Sequence, residues 1–203
     1  MIYKKISNVV KGGILIMYCS KQFSEVAKRY LCSFYEILDD MIEGMTSAEL
    51  DDSLSHNFIV QMIPHHEAAI RMSENLLQYT TFVPLQNIAQ NIIKEQTESI
   101  ENMQEAMYNC NMLTNSEEDI CLYQRQFHKI TQVMFSEMHN APSTNNINAD
   151  FIKEMIPHHM GAIRMSENAL RFPICPELIP ILTAIISSQK RGVQEMEKLL
   201  QCI

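Results

Sequence analysis

Apolar residues recur every three or four positions along most of the chain, which is the spacing of one face of an α-helix. One such stripe runs through Ile120, Tyr123, Phe127, Ile130 and Met134. A similar stripe occurs earlier, at Val26, Tyr30, Phe34, Ile37 and Met41. A third is formed by Ile88, Ile92, Ile100, Met103 and Met107. These patterns predict an all-α protein with six helices of about 20–28 residues each.

A fourteen-residue motif occurs twice in the chain. MIPHHEAAIRMSEN begins at Met62 and MIPHHMGAIRMSEN begins at Met155, and twelve of the fourteen positions are identical. Flanking residues match at the same offset of 93, and the matched pairs are Phe34/Phe127, Met41/Met134, Met45/Met138, Gln96/Gln189 and Met103/Met196. We therefore predict one helical domain over residues 22–203, built from two three-helix repeats at 22–111 and 116–203. Its architecture is expected to be an up-down helical bundle.

The first 21 residues do not follow the helical pattern, and we interpret them as a leader. Their apolar run ILIMYC has six residues, which is shorter than the roughly 7–15 residues of a signal-peptide core. A hypothesis for this stretch is that translation starts at Met17, so that residues 1–16 are not translated. This reading predicts a cytoplasmic protein, with an extracytoplasmic location as the alternative.

Charge and cysteine spacing narrow the classes of protein further. The formal net charge of −8 argues against nucleic acid as a partner, because phosphate backbones bind basic surfaces. Since no apolar run approaches the roughly 20 residues that span a bilayer, we expect no membrane insertion. No CxxC pair occurs among the six cysteines, so we predict that they are mostly reduced, buried core residues. They are Cys19, Cys32, Cys110, Cys121, Cys175 and Cys202.

The repeated motif places imidazole and thioether groups on one helix face. Spacings of three, seven and ten residues separate Met62, His65, Ala69 and Met72, and the second copy gives Met155, His158, Ala162 and Met165. His66 and His159 lie one position further along. The alanine leaves space between imidazole and thioether. Pro64 and Pro157 each remove one backbone donor, so we expect the helices to bend near the histidines.

Imidazole combined with thioether favours a soft or borderline metal ion. Thioether sulfur selects Cu(I), whereas imidazole also accepts Zn(II) and other ions. This face lacks the paired carboxylates that hard cations prefer. We therefore predict a metal site formed by the histidines and methionines of each motif, with copper as first choice and zinc as second.

Other side chains on the predicted core stripes are candidates for further ligands or for groups that orient a ligand. They are Met41, Met45, Met103, Met134, Met138, Met196, Gln96 and Gln189. His139, beside Met138, is another nitrogen donor. Methionine on a helical stripe is more often core filler, and the two glutamines are equally well explained as bridges between helices.

Two other functional readings stand beside metal binding. The motif is also explained as a packing device in a metal-free interaction or structural module. A diiron oxidase is disfavoured because no Glu-x-x-His sequence occurs in the chain. Nucleophilic catalysis is disfavoured because no serine or cysteine lies in a recognisable elbow. We therefore expect a binding protein rather than an enzyme, with a metal ion as partner and a homo-oligomer as an option.

The motif F-x-x-x-M-I-x-H-H-x-x-A-I-x-M, followed by Q-x-x-E-I-x-x-M, resembles domain-of-unknown-function family 305, whose members include CopM-like periplasmic copper-binding proteins. The matching residues are Phe58, Met62, His65, His66, Ala69, Ile70 and Met72 in the first half, and Phe151, Met155, His158, His159, Ala162, Ile163 and Met165 in the second. The resemblance implies a ferritin-like bundle that binds copper through His and Met. Where the family has Glu on the last helix, this chain has Ser99 and Gly192.

Overall fold

The computed structural model describes residues 23–110 and 113–203, which form six α-helices. They are α1 (Glu25–Ser47), α2 (Leu54–Leu77), α3 (Val83–Asn109), α4 (Glu117–His139), α5 (Ile147–Ala169) and α6 (Leu178–Leu200). The described residues contain no strand. The prediction of an all-α fold made of two tandem three-helix units is confirmed. The predicted leader, residues 1–21, lies outside the described residues.

Polar residues at the helix starts fix where the helices begin. Ser24 and Ser116 cap α1 and α4, since each hydroxyl accepts a hydrogen bond of 3.1 Å from the backbone N–H three residues later. Asn146 caps α5 in the same way, with its side-chain oxygen 3.2 Å from the backbone nitrogen of Ala149. These bonds satisfy backbone donors that have no partner inside the helix.

The four helices that carry the motif histidines and the two core glutamines, Gln96 and Gln189, form a ring. In each repeat the middle helix packs against the other two, which gives the pairs α1–α2, α2–α3, α4–α5 and α5–α6. Between the repeats, α2 packs on α5 and α3 packs on α6. Hence α2, α3, α6 and α5 enclose a four-helix core, while α1 and α4 pack on α2 and α5 respectively.

Equivalent hydrogen bonds hold the outer helices in both repeats. The side-chain amide of Asn75 donates to the backbone carbonyl of Tyr30 at 3.1 Å. The amide of Asn168 donates to the carbonyl of Tyr123 at 3.2 Å. Both pairs are buried and lie at the 93-residue offset, so the final asparagine of the repeated motif anchors the first helix of its own repeat.

Both motif helices continue through their proline residues. Pro64 lies inside α2 and Pro157 inside α5. On α1, a Cβ atom added at Gly44 would lie 2.8 Å from the Cβ of Pro64. Glycine at this position therefore permits the close approach of α1 to the proline ring.

A disulfide bond joins the two repeats and corrects the prediction for the cysteines. Cys110, at the end of α3, is bonded to Cys175, in the loop before α6. Both residues are buried, but they are not reduced thiols. The prediction of burial is wrong for the free cysteines as well, because Cys32, Cys121 and Cys202 are exposed. Spacing without a CxxC pair does not reveal which cysteines the fold brings together.

The same end of the molecule is fixed by the segment between the repeats. The side-chain oxygen of Asn115 accepts a hydrogen bond from the backbone N–H of Leu54 at 2.9 Å, and its amide donates to the carbonyl of Pro173 at 2.7 Å. One asparagine thus connects the start of α2 with the loop that carries Cys175.

Candidate metal-binding site

The four motif histidines lie in the four-helix core. His65 and His66 are on α2, and His158 and His159 are on α5, and each is at most 2% exposed. Their burial follows from the contact between α2 and α5, because each helix turns the repeated face towards the other. The methionines of the motif, on the same two helices, are buried as well, and they are Met62, Met72, Met155 and Met165.

The first histidines of the two motifs stack across the junction between the repeats. The ring centroids of His65 and His158 are 3.7 Å apart, with 28° between the ring planes. Nε2 of His158 lies 3.1 Å from the backbone carbonyl of His65, so this nitrogen donates a hydrogen bond. Within each pair the rings are further apart. The ring centroids of His65 and His66 are 5.8 Å apart on α2, and those of His158 and His159 are 6.0 Å apart on α5.

Most of the imidazole nitrogens in this cluster have no protein partner. Both ring nitrogens of His65 and Nδ1 of His66, His158 and His159 are buried without a hydrogen bond among the described residues. Buried polar side-chain atoms usually have a partner. Five exceptions in one cluster therefore mark a place where the folded chain leaves its donors and acceptors available to something else.

The two outer histidines differ in their surroundings on the facing helices. Nε2 of His66 lies 3.1 Å from the hydroxyl oxygen of Ser99 on α3. The equivalent position on α6 is Gly192, where an added Cβ would lie 2.9 Å from Cδ2 and 3.0 Å from Nε2 of His159. The glycine thus leaves room for the ring of His159 but offers it no hydroxyl.

Two further polar residues from α3 and α6 lie in the core near the histidines. Gln96 and Gln189 are buried, and both amide atoms of Gln96 and the oxygen of Gln189 lack partners among the described residues. Both glutamines line two cavities between α3 and α6. His66 lines one of these cavities, and His159 lines the other. The prediction that these glutamines face the core is in agreement with their burial.

Burial makes all four imidazoles hard to protonate. It lowers the pKa of His66 to about 3 and that of His158 to about 4. The pKa values of His65 and His159 are lowered too, first by burial and then by the neighbouring histidines. The rings are therefore neutral at ordinary pH, which is the form that ligates metals.

Comparisons with known proteins agree on one family. The model of a domain of unknown function, DUF305, matches residues 38–107 and 122–200. The chain belongs to the DUF305 family. Its two matches fall one in each repeat. The chain is also similar to the crystal structure of a DUF305 fragment from Deinococcus radiodurans, with a TM-score of 0.54 and 20% sequence identity over 74% of this chain and 97% of that chain. No curated protein matches the sequence.

Among the described residues of this DUF305 chain, no three imidazoles come together as a preformed metal centre. Among the described residues, the only group of three or more His, Cys, Asp or Glu ligand atoms within 4.8 Å of one another is Cys110, Cys175 and Glu177. Both of those cysteines are already bonded to each other. A metal in the histidine cluster would accordingly be held by one or two imidazoles together with thioethers.

The other candidate ligands are distributed over four helices of this DUF305 protein. The six methionines predicted as further ligands are all buried, and they are Met41 and Met45 on α1, Met103 on α3, Met134 and Met138 on α4, and Met196 on α6. His139 is exposed at the end of α4, where its ring contacts Tyr35 at a centroid distance of 5.8 Å. It is therefore separate from the histidine cluster.

Two serines of the repeated motif are buried polar groups that sequence reasoning missed. Ser73 and Ser166 are fully buried, and both hydroxyl oxygens lack a partner among the described residues. They occupy matching positions in the two copies, one residue after the second methionine of each motif. Their repetition in the sequence was the available signal, although serine in a helix is usually read as a neutral surface residue.

Across the described residues, none of the six helices is both long enough and apolar enough to cross a bilayer.

Proposed function

We propose that the protein binds Cu(I) inside its four-helix core and acts in copper buffering or handover. Five unpartnered imidazole nitrogens, on the same two helices as the four buried methionines of the motif, carry this proposal. A bound cation gives these nitrogens the partner that the polypeptide does not supply. The site would use His65, His66, Met62 and Met72 and their equivalents in the second repeat.

The composition of the cluster favours Cu(I) over Zn(II). Structural zinc is held by four nitrogen, sulfur or oxygen ligands in a tetrahedron. Within the described chain, the histidines form no group of three whose ligand nitrogens all lie within 4.8 Å of one another. Thioethers select Cu(I) and, unlike cysteine, bind it without losing a proton. Zn(II) remains the second choice on these grounds.

Two openings between α3 and α6 connect the histidines with the surface. A cavity of about 300 Å³ is lined by His66 with Gln96 and Ser99. A smaller one, of about 70 Å³, is lined by His159 with Gln189 and Gly192. Glu95 lines both cavities, and it pairs with Arg191 at 2.9 Å across the seam. We infer that a cation reaches the core between these two helices.

The decisive experiment is a Cu(I) competition titration against a coloured chelator without oxygen. Replacing the four motif methionines, Met62, Met72, Met155 and Met165, with leucine keeps core volume but removes sulfur, so the affinity for Cu(I) should fall at least tenfold. Replacing the four histidines with alanine should abolish binding. A matched control replaces His56 and His128, which lie outside the cluster, and should bind as wild type does. Wild-type affinity in both cluster variants, with helical content unchanged, contradicts the proposal.

A metal-free interaction or structural module is the second candidate. It is favoured by the stacking of His65 on His158 and by the hydrogen bond between them, which together join the two repeats. In this case the melting temperature of the protein should be the same with and without Cu(I) or Zn(II). A ligand that binds the folded state must raise it.

The disulfide bears on the compartment in which the protein works. Disulfides persist in oxidising compartments and are rare in the cytosol. The Cys110–Cys175 bond therefore favours the extracytoplasmic alternative over the predicted cytoplasmic location. Alkylation of free thiols in freshly lysed cells, followed by mass measurement, should show two protected cysteines. Two additional alkylated thiols in the native protein would restore the cytoplasmic assignment.

A further inference from the structure

The two repeats differ where the first helix of one approaches the second helix of the other. One such junction lies between α1 and α5, and the matching one lies between α4 and α2. Around Glu154 this junction is filled. The hydroxyl of Tyr30 donates to Oε2 of Glu154 at 2.6 Å. The neighbouring Tyr35 contacts the ring of His139, and its hydroxyl lies 3.5 Å from that of Ser143. Two hydrogen bonds and one contact between rings close this side.

At the matching junction, around Gln61, a cavity of about 190 Å³ opens between α1, α2 and α4. Its wall includes Met45, Gln61, Gln124, Phe127, Thr131 and Phe135. Aromatic rings and a thioether make up one part of the wall, and two side-chain amides make up another. This combination of a mostly apolar lining with a few polar groups is typical of a small-molecule site.

Differences between matched residues account for the cavity. At the 93-residue offset, three side chains of α1 that are buried at the closed junction are replaced on α4 by shorter or more polar ones. The pairs are Leu31/Gln124, Tyr35/His128 and Leu38/Thr131. The opening therefore follows from the sequence of α4, the first helix of the second repeat, and Ala48 and Leu50 of the α1–α2 loop line it as well.

Three polar side-chain atoms in the cavity wall or next to it lack partners among the described residues, whereas the hydroxyl of Thr131 donates to the carbonyls of Phe127 and His128. Gln61 is only 5% exposed, and its Oε1 has no hydrogen bond among the described residues. The amide nitrogen of Gln124 is unpartnered too, as is the buried hydroxyl of Tyr123. Tyr123 and Gln61 match Tyr30 and Glu154, which are bonded to each other at the closed junction. The open junction thus has the same two positions but no bond between them.

We propose that this cavity binds a small neutral molecule with an apolar ring and a primary amide. A primary amide presents a donor to Oε1 of Gln61 and an acceptor to Nε2 of Gln124, which satisfies both atoms at once. The apolar ring would lie against Phe127, Phe135 and Met45. This site is separate from the histidine cluster, so it does not depend on the proposed copper function.

The test compares three probes of similar size on the full chain by NMR and calorimetric titration. Benzamide supplies donor, acceptor and ring, benzoate supplies only acceptors and a ring, and toluene supplies only the ring. Benzamide is expected to bind at least ten times more tightly than the other two and to shift the methyl resonances of Met45 and Thr131. Equal binding of all three overturns the amide assignment, and no binding of benzamide shows that the cavity holds water only and overturns the proposal.

A pair of variants makes the result specific to this cavity. His128→Tyr/Thr131→Leu introduces the residues that already fill the closed junction, and it should abolish benzamide binding. Gln61→Leu keeps the space but removes the polar group, and it should reduce the affinity for benzamide at least tenfold while leaving that for toluene unchanged. The matched control, Tyr35→Phe at the closed junction, should leave benzamide binding as in wild type. Unchanged benzamide affinity in Gln61→Leu overturns the proposal even if the filled variant does not fold.

Discussion

Removing the Cys110–Cys175 disulfide should lower the free energy of unfolding by about 4 kcal/mol, the value that the chain-entropy relation gives for a loop of this size. The bridge spans a sequence separation of 65 residues, from the end of α3 to the loop before α6. Without the bridge, the unfolded chain has a higher conformational entropy, because this segment is no longer closed into a loop. The folded state keeps its inter-repeat contacts between α2 and α5 and between α3 and α6.

Urea and thermal unfolding of Cys110→Ala/Cys175→Ala against wild type measure this effect. A loss of about 4 kcal/mol corresponds to a fall in Tm of roughly 8–16 °C for a chain of this length. The urea m value should increase, because the unfolded chain without the bridge exposes more surface. The control variant replaces the exposed residues Cys32, Cys121 and Cys202 with serine and should unfold as wild type does in the absence of reductant.

Reductant supplies an independent readout of the same bond. Dithiothreitol should lower the Tm of wild type and of the free-cysteine control, but not that of the alanine pair. A difference below about 1 kcal/mol between wild type and the alanine pair would refute the reasoning, since removal of a native disulfide from a small domain typically costs about 2–5 kcal/mol. So would a wild-type protein whose Tm does not respond to reductant.

Five further substitutions test individual contacts. Burial raises the pKa of Glu154 to about 8 from 4.5, so the folded state holds a proton that the unfolded state loses. Stability should therefore fall as pH rises from about 4.5 to about 8, by a few kcal/mol, whereas Glu154→Gln should remove this fall; parallel Tm profiles over pH 5–9 would count against it. Asn75→Ala and Asn168→Ala each remove a buried hydrogen bond and should cost about 1–3 kcal/mol in urea unfolding, by similar amounts in the two repeats. Gly192→Ala forces a Cβ against the histidine ring and should cost about 1–3 kcal/mol, while Ser99→Ala, which loses only a hydrogen bond, should cost about 1 kcal/mol; an unchanged urea midpoint in Gly192→Ala would exclude the close contact.

The spacing of apolar residues and the repeated motif were sufficient to predict the helices and the duplication. The stripe through Tyr123, Phe127 and Ile130 lies on the buried face of α4, as its spacing predicts. The 93-residue offset correctly pairs positions whose hydrogen bonds match, such as Asn75 with Asn168. Helical periodicity reports which face is buried, and a repeated motif reports that the same face is used twice, so both levels were readable from the chain alone.

Contacts between elements distant in sequence were not readable in this way. Cys110 is bonded to Cys175 because the fold places the loop before α6 next to the end of α3. Spacing along the chain does not predict this placement. Periodicity likewise places His65 and His158 on buried faces, but it does not predict that their rings stack or that Nε2 of one bonds to the carbonyl of the other. Binding of a metal at these rings stays a prediction.

The two motifs are nearly identical in sequence but lie in unequal surroundings. In the first repeat, the hydroxyl of Ser99 occupies Nε2 of His66, so a metal that binds at this nitrogen must displace a hydrogen bond. In the second repeat, Gly192 offers no hydroxyl to Nε2 of His159, whose ring lines a small cavity. If both repeats bind copper as proposed, the difference lies in the facing helices and not in the motif. Identity between the two motifs therefore does not imply equal affinity, because the third helix of each repeat decides which imidazole nitrogens are free.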